Sequence, residues 1–435
     1  PPLHSAGWMD SPRPDSRLLD FESLEELEAS RGLQGPQPAH AAQPAAAAAA
    51  AADFDTEEGS EEDMLSSLGW WGSYRYDDAA VASLREALIA AGGMPDLEVF
   101  DPIVPGFAEK VAEAFDRDGF AIVKDVLDLE RLRTIRQGCK AIIQEMVGRD
   151  PERLGDRGPG RYSFGTAPHF FGRLPEWSVL VDPPALLEVL RHVFRCGDFV
   201  CDGPGGYFCL PGAVEFQHLH SDGTPRQDGR YPDVRLQRAA DGTECWVPLG
   251  ADGQGAGPGG RVVNYRDLPS HYVPVSVTFP IEMVDGSPVG HSVVNGATRQ
   301  IPGTQHSREP IPLHGDEPRW MLTSMLAPLP AGCAVLRDER AWHGGCPNVS
   351  RHVRAIPGHR FFVPRRQPKH KPQRTLPYEV FKMLSEEGQR VCGLIAAEEG
   401  QHVFVPWQPD WGWRHTERGF ARTRGEPRSL PDLSA

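Results

Sequence analysis

From about residue 198 onward, glycine and proline cut the chain into short apolar or alternating runs: DFVCDG, GYFCLPG, AVEFQHLHSDG, YVPVSVTFPIEMVDG, RWMLTSMLAPLPAG, CAVLRDE and HRFFVP. This punctuation constrains the fold more than any other feature. Pieces this short, bounded by turn formers, suit antiparallel strands. The expected architecture is mainly β, a sandwich or barrel of jelly-roll type.

The region before residue 198 has a different texture. GFAEKVAEAFDRDGF reads as a helix closed by Gly119, and FAIVKDV as a short strand. DLERLRTIRQGCKAIIQEMVG has Leu129, Leu132, Ile135, Cys139, Ile142, Ile143 and Met146 on one face at helical spacing. Asp128 is its expected N-cap and Gly148 its expected stop. AAVASLREALIAAGG should be a helix ending at Gly92 and Gly93, and PALLEVLRHVF another helix. After residue 376, YEVFKMLSEEGQRVCGLIAAEEG reads as helical and leads into a stretch holding Trp407, Trp411 and Trp413.

Residues 1–78 combine low hydrophobicity, charge and an alanine tract, and are expected to be a disordered acidic tail. Within them LLDFESLEELEA (18–29) has the pattern of a short acidic amphipathic helix, a candidate protein-partner motif or a solvated face. The expected organisation continues with a helix and linker at 79–104 and the main domain at 105–375. Within that domain, 223–262, with its ADGQGAGPGG, is expected to be a lid or insertion. A C-terminal extension follows at 376–435. Residues 1–100 hold 19 acidic and 5 basic side chains, so nearly all of the net charge of −15 lies there. The near-neutral remainder offers no general electrostatic case for nucleic acid. No apolar run reaches the roughly 18 residues of a membrane span. The eight scattered cysteines include no C-x-x-C pair and resemble no disulfide framework, so a reducing, intracellular and cytoplasmic setting is expected.

FQHLHSDG carries the chemistry. On a strand, His220 and Asp222 face one way, with Ser221 opposite and His218 on the same face as the pair. Two such donors can share a metal if a third comes from a distant strand, and a histidine–carboxylate–histidine set with open positions suits non-haem Fe(II) oxygenases. The chain contains rival pairs, His314 with Asp316 and His415 with Glu417. The stretch RDERAWHGGCPNVSRHVR arbitrates. It supplies His343, far enough from His220 for several strands to intervene, and then Arg354. His314 is too near His343 for that. His220, Asp222 and His343 form the consistent set.

Four pieces now stand in order: FDRDGFAIVKDVLDLERLRTIR, QHLHSDG, NGATRQIPGTQH and HGGCPNVSRHVR. Together they resemble the phytanoyl-CoA dioxygenase family over roughly residues 105–365. The resemblance implies a double-stranded β-helix of the jelly-roll or cupin-like kind that uses Fe(II), 2-oxoglutarate and O2. It implies His220, Asp222 and His343 as iron ligands and Arg354 as the partner of the far carboxylate of 2-oxoglutarate. A planar guanidinium suits that two-pronged grip. Asn348 and Ser350 match a turn of the family. Gly345 stands where relatives often carry a serine, and Gly223 where ectoine hydroxylase has a threonine.

The expected function is therefore hydroxylation of a small-molecule or acyl substrate, with release of succinate and CO2. The carboxylate at Asp222 argues for hydroxylation rather than halogenation. A non-catalytic jelly-roll binding module is one alternative. A zinc hydrolase on the same three ligands is another, and it would have no use for Arg354. Arg351 and Arg360 are neighbouring competitors for the role of Arg354. His306 and Cys346 are expected to be structural, and RRQPKHKPQR (365–374) a solvated loop.

Overall fold

The computed structural model describes residues 68–70, 74–166, 175–223, 233–239, 242–249, 260–401 and 403. All belong to one unit, Gly59–Ala435. The tail segment 18–29, His415, Glu417 and the three C-terminal tryptophans lie outside the described residues. In chain order the strands are β1 (Phe120–Val123), β2 (Arg161–Ser163), β3 (Val200–Cys209), β4 (Asp233–Arg238), β5 (Glu244–Pro248), β6 (Arg261–Asn264) and β7 (Val275–Thr278). They continue with β8 (Ile281–Glu282), β9 (Val289–His291), β10 (Thr298–Gln300), β11 (Leu329–Pro330), β12 (Ala334–Asp338), β13 (His343–Gly345) and β14 (Arg354–Phe362). The main helices are α1 (Ala79–Ala91), α2 (Phe107–Asp118), α3 (Leu129–Arg149) and α4 (Pro184–Phe194).

The fold is the expected jelly roll. One sheet runs β1-β12-β7-β14-β3-β2, with β8 continuing β7 alongside β14. Its longest pairing sets β14 against β3 from Arg354–Cys209 to Phe362–Val200. The second sheet is shorter and built partly from single bridges. Segment 213–220 pairs with 343–348, which pairs with β10, and Arg299 of β10 meets Met325. Helices cover both outer faces. Apolar residues of α2, α3 and α4 pack with Phe199, Phe208, Ala355 and Phe361 of the large sheet. Val81, Leu84 and Leu88 of α1 pack with Val214, Phe216, Ala297 and Val349 of the small one.

Several local expectations are met for the stated physical reasons. Gly119 (φ 78°) closes α2, Gly92 (φ 71°) closes α1, and the Asp128 side chain accepts from the Arg131 amide at 2.8 Å to cap α3. Others are corrected. Helix α3 runs one residue past Gly148 to Arg149 and its cap at Asp150, whose amide donates to the Val147 carbonyl. Leu129, expected on the buried face, is 71% exposed, since the first turn of α3 overhangs the core. RWMLTSMLAPLPAG is not one strand: Arg319–Leu322 forms a single helical turn before β11. The helical stretch after 376 breaks into Tyr378–Met383 and Glu386–Cys392, where Ser385 caps the second piece by accepting from the Gly388 amide. The 223–262 segment carries β4, β5 and the start of β6, a sheet ordered β5-β4-β6 whose Val234, Leu236 and Trp246 pack on Tyr265, Leu268 and Val273. All eight cysteines are free. Among the described residues no helix is long and apolar enough to cross a membrane.

Candidate metal centre

Two strand segments bring the candidate ligands together. The His220 amide donates to the His343 carbonyl and the His343 amide to the His220 carbonyl, each at 2.9 Å. Directly opposed residues of an antiparallel pair project to the same side, and the two rings lie 4.2 Å apart between centroids. Asp222 completes the group, its Oδ1 3.9 Å from His220 Nε2 and its Oδ2 3.6 Å from His343 Nε2. One donor atom from each of the three lies within 4.8 Å of the others, and among the described residues no other set of His, Cys, Asp and Glu does so.

Simple alternation does not produce this placement. Between the Ala213–Asn348 and His220–His343 bridges, the ligand segment spends two more residues than its partner. This bulge lets Val214 and Phe216 pack outward under α1 while His220 and Asp222 turn in with His343. His218, expected on the ligand face, is outside the group, but its carbonyl accepts from Nδ1 of His220 at 2.9 Å. The Ala341 carbonyl does the same for Nδ1 of His343 at 3.1 Å. A carbonyl only accepts, so each Nδ1 carries the hydrogen and each Nε2 presents a lone pair toward Asp222. The bulge also explains the glycine pair that follows His343. A Cβ on Gly344 would sit 2.8 Å from the Gln217 carbonyl oxygen, and one on Gly345 would sit 2.6 Å from Nη1 of Arg161.

Protonation states suit a cation. Burial lowers the pKa of His220, and lowers that of His343 further with help from Arg337. Burial alone would raise the Asp222 carboxyl, but Arg337 and then the two histidines outweigh it and hold it well below the usual carboxylate range. At neutral pH the site therefore offers two neutral imidazoles and one carboxylate. The Asp222 side chain is 24% exposed, so the group can be reached from solvent.

Arg354 opens β14 and is 3% exposed. Its Nη2 donates to the Gly296 carbonyl, while among the described residues Nε and Nη1 have no hydrogen-bond partner. Burial lowers its pKa to about 10, Cys209 opposes the shift and Arg161 adds to it, so it remains a cation. Buried donors of this kind normally have acceptors. The competitors are otherwise engaged. Arg351 lies 3.7 Å from Asp77 and over the Tyr76 ring. Arg360 pairs with Glu339 at 2.7 Å and Asp202 at 3.0 Å. Asn348 ties the turn before β14, donating to the Cys209 and His352 carbonyls and accepting from the Ser350 hydroxyl at 2.7 Å. His306 bonds the Arg266 carbonyl, and Cys346 is a buried thiol pushed up to about 12 by burial. Asp316 of the rival pair is exposed.

Four residues near the centre were not legible in advance. Arg337 of β12 donates to Oδ2 of Asp222. Tyr207 of β3 has its pKa raised to about 12, chiefly by the Asp222 charge and then by burial. Glu339 is raised to about 7 by burial against the pull of Arg360. Arg161 of β2 donates to Cys209 Sγ at 3.1 Å and to the Glu215 carbonyl at 2.8 Å. Alternation in CAVLRDE implies that Arg337 and Glu339 share a face, but nothing in the sequence names their partners.

No family model matches the chain. Among solved structures it is similar to the epimerase SnoN in complex with Fe3+, alpha ketoglutarate and nogalamycin RO, at 13% identity and TM-score 0.39, over 60% of this chain and 84% of that one. EctD from S. alaskensis with 2-oxoglutarate and 5-hydroxyectoine matches at 14% identity and TM-score 0.37, over 61% and 78%. The alpha ketoglutarate dependent carbocyclase SnoK from nogalamycin biosynthesis matches at 13% identity and TM-score 0.36, over 58% and 82%.

Proposed function

We propose that the chain is an Fe(II)- and 2-oxoglutarate-dependent oxygenase that hydroxylates a small-molecule or acyl substrate. One observation carries the reading. A histidine–carboxylate–histidine group with its lone pairs converging stands in the same jelly roll as a buried arginine with two unused donors. The first fits a divalent metal that keeps open positions, and the second fits a carboxylate. Zinc hydrolysis would use the first and leave the second without purpose.

Bound iron and 2-oxoglutarate, together with O2, would supply oxidative decarboxylation, giving succinate, CO2 and the oxidising power to hydroxylate a C–H bond, with one oxygen atom of O2 in succinate and the other in the product. The protein's share is placement. His220 and His343 present Nε2 with Nδ1 already tied to backbone. Asp222 supplies the anionic ligand, its Oδ2 accepting from Arg337. Arg354 takes the far carboxylate of the cosubstrate through Nε and Nη1. The Arg157 charge acts on Asp222, and the Asp222 charge acts on Tyr207 and Glu339, so these three side chains set the electrostatics around the anionic ligand.

The test is succinate release from 2-oxoglutarate with Fe(II) and O2 across a metabolite library. Succinate formed with a hydroxylated product supports the reading. Metal binding without any 2-oxoglutarate binding would favour the hydrolase, and binding of neither would favour a non-catalytic module.

A further inference from the structure

The ion pair between Arg337 and Asp222 does something that a metal centre does not require. Arg337 is 5% exposed and points into the barrel from β12, where it pairs across the sheet with Ser276 and Phe120. Among the described residues Asp222 is its one ion-pair partner, and its Nε has no hydrogen-bond partner. Glu339 lies nearby but is taken by Arg360. A second guanidinium, Arg157, stands over the Tyr207 ring at 5.5 Å, and its charge also reaches Asp222 and His220. The carboxylate expected to ligate a cation is therefore already neutralised by one.

Outer partners of metal ligands usually accept a hydrogen bond from a histidine and strengthen it as a donor. A guanidinium on a carboxylate acts in the opposite sense. It draws negative charge away from the ligand and repels the incoming ion through a poorly screened interior.

We infer that Arg337 is a built-in competitor of the metal: it serves as counter-ion to Asp222 in the metal-free protein and weakens divalent-cation binding until an anionic ligand joins the same metal. The inference rests on the metal reading above. The carboxylates of a 2-oxo acid would offset the excess positive charge, so metal and oxo acid should strengthen one another's binding. By linkage that coupling is reciprocal.

Mn(II) binding, followed by the electron paramagnetic resonance of the free ion, tests this without turnover. Wild type, Arg337→Gln and Arg337→Lys would be titrated with and without saturating 2-oxoglutarate. Arg337→Gln should bind Mn(II) alone roughly tenfold more tightly or better. Arg337→Lys, which keeps the charge, should stay near wild type, and the gap should shrink once 2-oxoglutarate is present. A residue that only orients Asp222 would give the reverse sign, about a 10- to 100-fold loss in Arg337→Gln. That loss, or no change, overturns the inference. If circular dichroism shows Arg337→Gln unfolded, Arg157→Gln takes its place, since that side chain is 35% exposed. It should tighten Mn(II) by a smaller factor, and failure to do so overturns the inference as well. Absence of Mn(II) binding in wild type under both conditions would remove the metal reading itself.

Discussion

His220 and His343 are cross-strand partners that hydrogen-bond each other's backbone in both directions, so the two imidazoles are fixed relative to one another by the sheet itself. Replacing either ring should remove a ligand without disturbing the pairing. His220→Ala, Asp222→Ala and His343→Ala are each expected to lose metal binding and succinate formation, whereas Asp316→Ala, at an exposed position, should keep both. Metal titration and succinate release check this. Retained metal binding in His343→Ala would exclude the three-ligand centre.

Arg354→Ala should weaken 2-oxoglutarate far more than metal. Loss of a charge-assisted grip on a buried carboxylate costs about 2–5 kcal/mol, roughly 30- to several-thousand-fold in affinity. Arg351→Ala is the control, because Arg351 lies beside Asp77 and over the Tyr76 ring. Calorimetric titration of both anaerobic Fe(II) forms decides. Equal cosubstrate affinity in wild type and Arg354→Ala would sink the assignment.

Arg299 and Glu317 form an ion pair with both side chains fully buried. Arg299 also donates to the Gln217 carbonyl, and Glu317 accepts from the Leu219 amide at 3.4 Å, so the pair anchors the bulged ligand segment. Glu317→Ala should cost about 3–5 kcal/mol, since it strands a buried guanidinium, while Arg299→Met with Glu317→Leu should recover much of the loss. Urea denaturation of the three proteins measures it. A Glu317→Ala protein as stable as wild type would contradict the burial argument.

Acid should destabilise the metal-free protein in a window set by its buried histidines. Burial lowers the pKa of His291 to about 3 and that of His271 to about 4. Each is protonated more readily when unfolded, so the unfolded state binds more protons below the ordinary histidine pKa of roughly 6.5. Stability contributed by the neutral form is full above that value and is lost as pH falls toward the depressed values. Glu339, raised to about 7, opposes this loss over the same range, so the histidine contribution is read by comparison: between pH 7.5 and 5 the melting temperature of His291→Gln should lose less than that of wild type. An unchanged slope in that variant would refute the account.

The sequence discloses what depends on local spacing and little that depends on register. His220 and Asp222 stand out as a pair because two positions along a strand return to one face, and the turn formers around them announce strands. The bulge that brings them inward is invisible, because it depends on how segment 213–220 pairs with the distant segment 343–348. The same holds for Arg337, whose partner Asp222 lies 115 residues away, and for Arg161, whose partner Cys209 lies 48 residues away. The β4–β6 sheet is hidden by the glycine-rich connection between β5 and β6, although Val234, Leu236 and Trp246 carry the signal that it packs.

Both candidate ligand rings hold their Nδ1 hydrogen against a carbonyl of their own strand two residues back, at 2.9 and 3.1 Å. Together with the lowered histidine pKa values and the ionised Asp222, this means that no ligand has a proton to give up near neutrality. Metal sites commonly release protons on loading, which ties their occupancy to pH. Here the three ligands themselves should release none: near pH 7 the heat of metal binding should vary with the ionisation enthalpy of the buffer only through Glu339, which is raised to about 7 and feels the Asp222 charge.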